Sequence, residues 1–123
     1  MGKEHNYKNL MIWQKAMDLV TQVYKLSTEF PNEEKFGLTS QIRRCAISIP
    51  SNIAEGSGRG TDKEFVQFLN YSLGSSFELE TQLILANKLG LVSTTMLEIL
   101  IESLNELQRM LRGFIKKLKT PEA

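Results

Sequence analysis

The chain is poor in the residues from which catalytic and cross-linked sites are usually built. Its one cysteine, Cys45, excludes an internal disulfide, and its one histidine, His5, excludes any site that needs two imidazoles. A di-iron centre of the bundle type requires a Glu-x-x-His pair from each of two helices, so it is excluded as well. The three prolines are scattered rather than gathered into a linker. No uninterrupted apolar run approaches the ~20 residues that cross a bilayer. Excess charge of one sign is also missing. Fifteen Lys+Arg against fourteen Asp+Glu leave a formal net charge of +1, so any attraction to nucleic acid must come from local clustering. Nothing in this composition calls for a cofactor, a metal or a small-molecule substrate. Lys3, Glu4, His5 and Lys8 stand where a signal peptide would be apolar, and Asn6 stands where a myristoylation start would carry Ser or Thr. The expectation is a cytoplasmic protein off the membrane.

What the sequence does contain is helical periodicity. At 123 residues and 41% hydrophobic composition, one domain with a single modest core is expected. Start and stop signals predict helices over about residues 9–27, 33–55, 62–89 and 95–119. In the first, Leu10, Trp13, Met17, Val20 and Tyr24 form the stripe, with Ile12, Ala16, Leu19 and Val23 widening it. Phe30-Pro31-Asn32 ends it, and Glu33 and Glu34 suit the positive start of a second helix. Gly37 breaks that helix's first turn, Pro50 kinks it, and Gly56 is its expected stop. Thr61 with Glu64, and Thr95 with Glu98, have the spacing of capping boxes. The third helix buries Phe65, Leu69, Ser72, Ser76, Leu79, Leu83 and Ala86, and Gly90-Leu91 suits a left-handed cap. The fourth repeats Leu97, Leu100, Leu104, Leu107, Leu111, Phe114 and Leu118. No strand-like alternation competes, and short connections make successive helices antiparallel. The prediction is an all-α, up-down-up-down four-helix bundle.

The second helix has two regular faces. Leu38, Ile42, Cys45, Ile49 and Ile53 are apolar, while Gln41, Arg44, Ser48, Asn52 and Glu55 form a polar row at helical spacing. A row so ordered reads as a polar seam buried against a helix or another subunit. Arg44 and Glu55 stand about 16 Å apart along the axis, too far to pair. Glu78 is the expected partner of Arg44, because Gly74, Ser75 and Glu78 share a face and small residues allow close approach. On that reading, removing Arg44 or Glu78 destabilises the protein by several kcal/mol. Cys45 reads as a reduced core thiol, and Trp13 as core. Glu55, Glu78, Glu80, Cys45 and His5 form no catalytic constellation, so no catalytic residue is assigned.

Residues 36 to 56, Phe-Gly-Leu-Thr-Ser-Gln-Ile-Arg-Arg-Cys-Ala-Ile-Ser-Ile-Pro-Ser-Asn-Ile-Ala-Glu-Gly, closely resemble the signature of the four-helix-bundle family encoded in 23S ribosomal RNA intervening sequences. The likeness extends to Trp13 and Phe30-Pro31 upstream, and to Arg59, Phe65, Phe68-Leu69, Gly74-Ser75, Glu78 and Leu89 downstream. The resemblance implies a bacterial bundle that assembles as a homo-oligomer, typically a five-membered ring, with no established enzymatic activity. Accessory proteins of diversity-generating retroelements look like relatives, and those are basic proteins that bind nucleic acid and a reverse transcriptase. The near-neutral charge of this chain departs from them.

Two basic clusters are candidates for contact with RNA or DNA. Arg109, Arg112, Lys116, Lys117 and Lys119 follow one another late in the fourth helix with no acid between them. Cations there also offset the helix dipole, each by roughly 0.3–1 kcal/mol. Arg43 and Arg59, with Arg44 between them, form the second cluster. The glycine-rich loop at 56–61 lacks the strand and the Gly-Lys-Ser/Thr ending of a P-loop and reads as a connector. Two functions follow: an oligomeric adaptor for nucleic acid or protein, or a scaffold that binds protein helices alone.

Overall fold

A computed structural model describes residues 5–34 and 37–120. Residues 1–4 and Phe36, which opens the signature string, lie outside them. The described chain holds four long helices: α1 (Met11–Ser27), α2 (Leu38–Ser57), α3 (Asp62–Lys88) and α4 (Thr94–Lys119). Short 3-10 turns at Tyr7–Asn9 and Asn32–Glu34 precede α1 and α2. No strand occurs among the described residues, and the all-helical bundle read from the sequence is the fold. Each helix packs on its chain neighbours and α4 closes back on α1, while the diagonal pairs do not meet. The α2–α3 interface is the most extensive and the α1–α4 interface the thinnest.

The core follows the periodicity closely in three helices. All seven residues expected to be buried on α3 are buried, including Ser72 and Ser76, both 0% exposed. On α4, Leu100, Leu104, Leu107 and Leu111 form the buried line, with Ile115 and Gln108 joining it. In α1 the centre is shifted by one position. Ile12, Ala16, Leu19 and Val23 are buried, whereas Met17 and Tyr24 are exposed. Apolar side chains cover so much of this helix that spacing alone does not locate its innermost line, because neighbours in sequence lie only about 100° apart around the axis.

The helix ends are set by local chemistry. Thr61 accepts the Glu64 amide at 3.2 Å and donates its hydroxyl to the Glu64 carboxylate at 2.9 Å. The α4 cap is Ser93, which accepts the Met96 amide at 3.1 Å, and Thr95 lies inside the helix. After α3 the Leu91 amide donates to Ala86 and the Gly90 amide to Asn87, with Gly90 at φ 79. This is the paired hydrogen-bond pattern of a left-handed cap. Helix α2 starts at Leu38, and the acidic residues expected to open it occupy the separate turn at Asn32–Glu34.

Gly56 does not stop α2. The helix continues to Ser57 with Gly58 as its cap, and Gly56 lies at a close approach of α2 to α3. A Cβ there would lie 2.6 Å from the Phe68 Cβ and 3.0 Å from Phe65. Gly74, the glycine expected to fill that role, faces outward, and a Cβ added to it would meet nothing within 4 Å. His5 is held at the same end of the bundle as Gly56, its ring 5.1 Å from Phe65 and 6.0 Å from Phe114.

Candidate nucleic-acid interface

Antiparallel packing sorts the charges along the bundle axis. Helix α4 carries Glu98, Glu102 and Glu106 in its first half and Arg109, Arg112, Lys116, Lys117 and Lys119 in its second. That second half lies beside the start of α3, where Phe114 meets Phe65 at 5.5 Å. One end of the bundle therefore gathers cations although the whole chain is nearly neutral. None of these five side chains forms an ion pair among the described residues, where the pairs are Lys15–Glu106 and Arg59–Glu55.

The α3–α4 seam has two grooves, separated by the Gln108 amide donating to Glu80 at 2.9 Å. The groove at the basic end encloses ≈ 420 Å³. Leu73 and Ile115 supply its apolar wall, Arg112, Lys116 and Lys119 its charge, and Asn70 and Thr120 further hydrogen-bonding groups. Lys116 and Lys119 occur in the last turn of α4, so they also satisfy the negative end of its dipole. The Arg112 guanidinium lies over the ring of Phe77 at cation–π distance, 5.4 Å from its centroid, and Phe77 remains 40% exposed. The second groove, of ≈ 460 Å³, sets Ile84, Leu97 and Ile101 among Glu98 and Glu102, with Arg109 at its inner edge.

The second basic cluster is divided between the two ends of the molecule. Arg43 donates to Ser27 Oγ at 2.7 Å and to the Tyr24 carbonyl at 3.4 Å, with its guanidinium 4.6 Å from the Tyr24 ring centroid. Arg59 pairs with Glu55 and stacks over Phe68 at 4.6 Å. About 21 Å of helix separates Arg43 from the end of α2 near Arg59. Arg43 therefore belongs to the α1–α2 contact and does not share a surface with Arg59.

The polar row of α2 is not sealed within the protomer. Ser48 and Asn52 are half-buried, with Ser48 donating to the Cys45 carbonyl at 2.6 Å and Asn52 to the Ser48 carbonyl at 2.8 Å. Gln41, Arg44 and Glu55 are exposed. Ser75 is half-buried, Glu78 is exposed, and no ion pair joins Glu78 to Arg44. The expected buried Arg44–Glu78 pair is thus absent within one protomer: the outward position of Gly74 leaves that face open rather than drawing α2 over it.

Cys45 is the buried group on this flank. Its thiol donates to the Ser75 carbonyl at 3.1 Å, and burial together with the nearby Glu78 carboxylate pushes its pKa up from 9.0 to about 12. A thiol so disfavoured as thiolate is a poor nucleophile. No group of three His, Cys, Asp or Glu side chains suited to a metal comes together among the described residues, and no described helix is long and apolar enough to cross a membrane.

The run of one charge sign in the sequence located the α4 cations, but not Asn70, Leu73 and Phe77 opposite them. Their role depends on the α3–α4 register, which only the packed helices define.

The architecture is similar to that of a protein of unknown function from the S23 ribosomal protein family of Bacteroides thetaiotaomicron, solved by crystallography. The two share 25% sequence identity with a TM-score of 0.80, over 86% of this chain and 99% of that one. No curated protein matches the chain significantly. The sequence profile of the 23S rRNA-intervening sequence proteins matches residues 8–113, a span that takes in most of all four helices. With bundle, signature and profile in agreement, the chain belongs to the 23S rRNA-intervening sequence protein family.

Proposed function

We propose that this protein is a non-enzymatic, homo-oligomeric adaptor that binds nucleic acid through the basic end of its bundle. The observation that carries the reading is the row Arg109, Arg112, Lys116, Lys117 and Lys119, free of ion pairs among the described residues and set partly along a groove. Cations meant only to offset a dipole need no groove beside them, whereas a nucleic acid can use the cations for its phosphates and the groove for its sugars and bases. The polar face of α2 and α3, with Arg44 and Glu78 exposed and unjoined, is the surface assigned to a second copy. Burying it between protomers would give those charges partners. The family resemblance supports five copies. Acting from the cytoplasm as a bridge between an RNA or DNA and a protein partner would require no cofactor and no turnover.

A second reading is favoured by the other groove. Ile84, Leu97 and Ile101, rimmed by Glu98 and Glu102, would fit an amphipathic helix with a basic edge, as in a scaffold that binds protein alone. Fluorescence anisotropy with labelled RNA and DNA at low and moderate salt separates the two. The adaptor binds at low salt, weakens steeply as salt rises, and loses binding when Lys116, Lys117 and Lys119 are replaced by Ala. No binding at low salt overturns it in favour of the scaffold. Light scattering gives the copy number, and a monomer at working concentrations overturns the assembly.

A further inference from the structure

We infer that the basic groove is built for single-stranded nucleic acid, with phosphates on Lys116 and Lys119 and a base stacked on the Arg112–Phe77 platform. The inference rests on the nucleic-acid reading above and adds the form of the ligand.

Three features point to a single strand. The first is shape. The cations occupy one wall of a concavity whose other wall is α3, with Leu73 and Ile115 between them. A duplex offers its phosphates on a broad convex surface and keeps its bases inward, so it would use the lysines but not this apolar wall. A single strand can lower a sugar and a base edge into the groove.

The second feature is the stacked pair. Arg112 lies over the face of Phe77, which holds the planar guanidinium in place before any ligand arrives. Unstacked bases pack on aromatic rings and on guanidinium planes, and a base inside a duplex presents no free face to either. Phe77 keeps 40% of its surface exposed, so the pair is within reach of a ligand.

The third is spacing. Arg112, Lys116 and Lys119 follow one another at four and three residues, so they line one side of α4 over about 10 Å of axis. At the far end Asn70 offers an amide that can donate to or accept from a ribose or phosphate, and the Thr120 hydroxyl, which donates to the Lys116 carbonyl at 2.8 Å, can accept. Arg112 thus joins the groove to the Phe77 ring beside it, with Lys116 and Lys119 following along the helix and hydrogen-bonding groups at the far end. That order suits a strand running along the helix axis.

The test uses labelled oligouridylate of about 16 nucleotides, and an RNA duplex of matching length, titrated by anisotropy into the full chain at several salt concentrations. The single strand binds more tightly than the duplex. Phe77→Ala weakens single-strand binding at least about fivefold, as loss of one stacked base requires, while the salt slope and duplex binding stay unchanged. Phe77→Leu, which keeps an apolar side chain and guards against a folding defect, weakens it likewise. The double variant Lys116→Ala/Lys119→Ala weakens both ligands and lowers the single-strand salt slope by about 1.4. Equal affinity for the two forms, or Phe77 variants that bind as wild type while the lysine variant fails, overturns the single-strand inference and leaves the nucleic-acid reading intact. Absence of binding to either probe at low salt overturns both.

Discussion

Helix α3 has two flanks of opposite character. Towards α2 it presents Ser72, Ser75 and Phe68, and α2 answers with Cys45, Ile49 and Gly56, so the backbones come close enough for Ser72 Oγ to donate to the Ile49 carbonyl at 2.9 Å. Towards α4 it presents leucines and a Gln108–Glu80 bridge, and the helices leave two grooves on the outside of their seam. The tight flank holds the fold, whereas the open flank offers chemistry to something else. Substitutions on the first should therefore move stability, and substitutions on the second should move binding.

The largest effect is expected at Gly56. A methyl group there meets the Phe68 Cβ, which belongs to the α3 main body and cannot swing aside. Gly56→Ala should lower stability by about 1–3 kcal/mol despite the better helix propensity of alanine. Thermal melting checks this, and an unchanged midpoint would show that the flank is looser than its contacts imply.

Ser72→Ala comes next. It leaves a buried carbonyl with one fewer donor and should cost about 1 kcal/mol. Denaturant titration with an unchanged slope is the suitable measurement.

Cys45 adds a pH dependence to the same flank. In the folded protein the thiol keeps its proton to about 12, whereas in the unfolded chain it ionises near 9.0. Below pH 9 both states bind the proton and the thiol contributes no slope. Above it the unfolded state binds fewer protons, so stability falls as pH rises, on the order of 1 kcal/mol per pH unit up to about 12. Wild type should lose melting temperature faster than Cys45→Ala over that range, and parallel curves would refute the assignment.

The smallest effects are expected where α3 and α2 face outward. Gly74→Ala should be neutral or stabilise by up to ~1 kcal/mol, since nothing stands within 4 Å of the added carbon. Arg44→Ala should change the protomer's stability by no more than about 0.5 kcal/mol. A larger loss from either, appearing only at concentrations where light scattering shows assembly, would place a second copy on that face.

These contrasts also mark what could be read from the sequence. The helices, their antiparallel order and the whole buried line of α3 follow from spacing, because one face of a helix must be apolar for the core to form. The roles of Gly56 and Gly74 are the reverse of the expectation. Glycine next to a loop resembles a helix stop and glycine within a helix resembles a packing notch, and only the α2–α3 register shows which one meets a neighbour. Within one protomer the pairing expected of Arg44 and Glu78 does not form, because a regular polar row resembles a buried one. Regularity specifies a face without specifying what covers it. The α4 cations are legible as a run of one sign, but their groove requires the opposite wall.

Cys45 has one practical consequence. Because the chain's sole sulfhydryl is buried and stays protonated, a cysteine introduced at an outward position such as Ser51 would be the only ready target for maleimide dyes at neutral pH. Subunits could then be counted by stepwise photobleaching, and strand docking followed by energy transfer, without first removing the native residue.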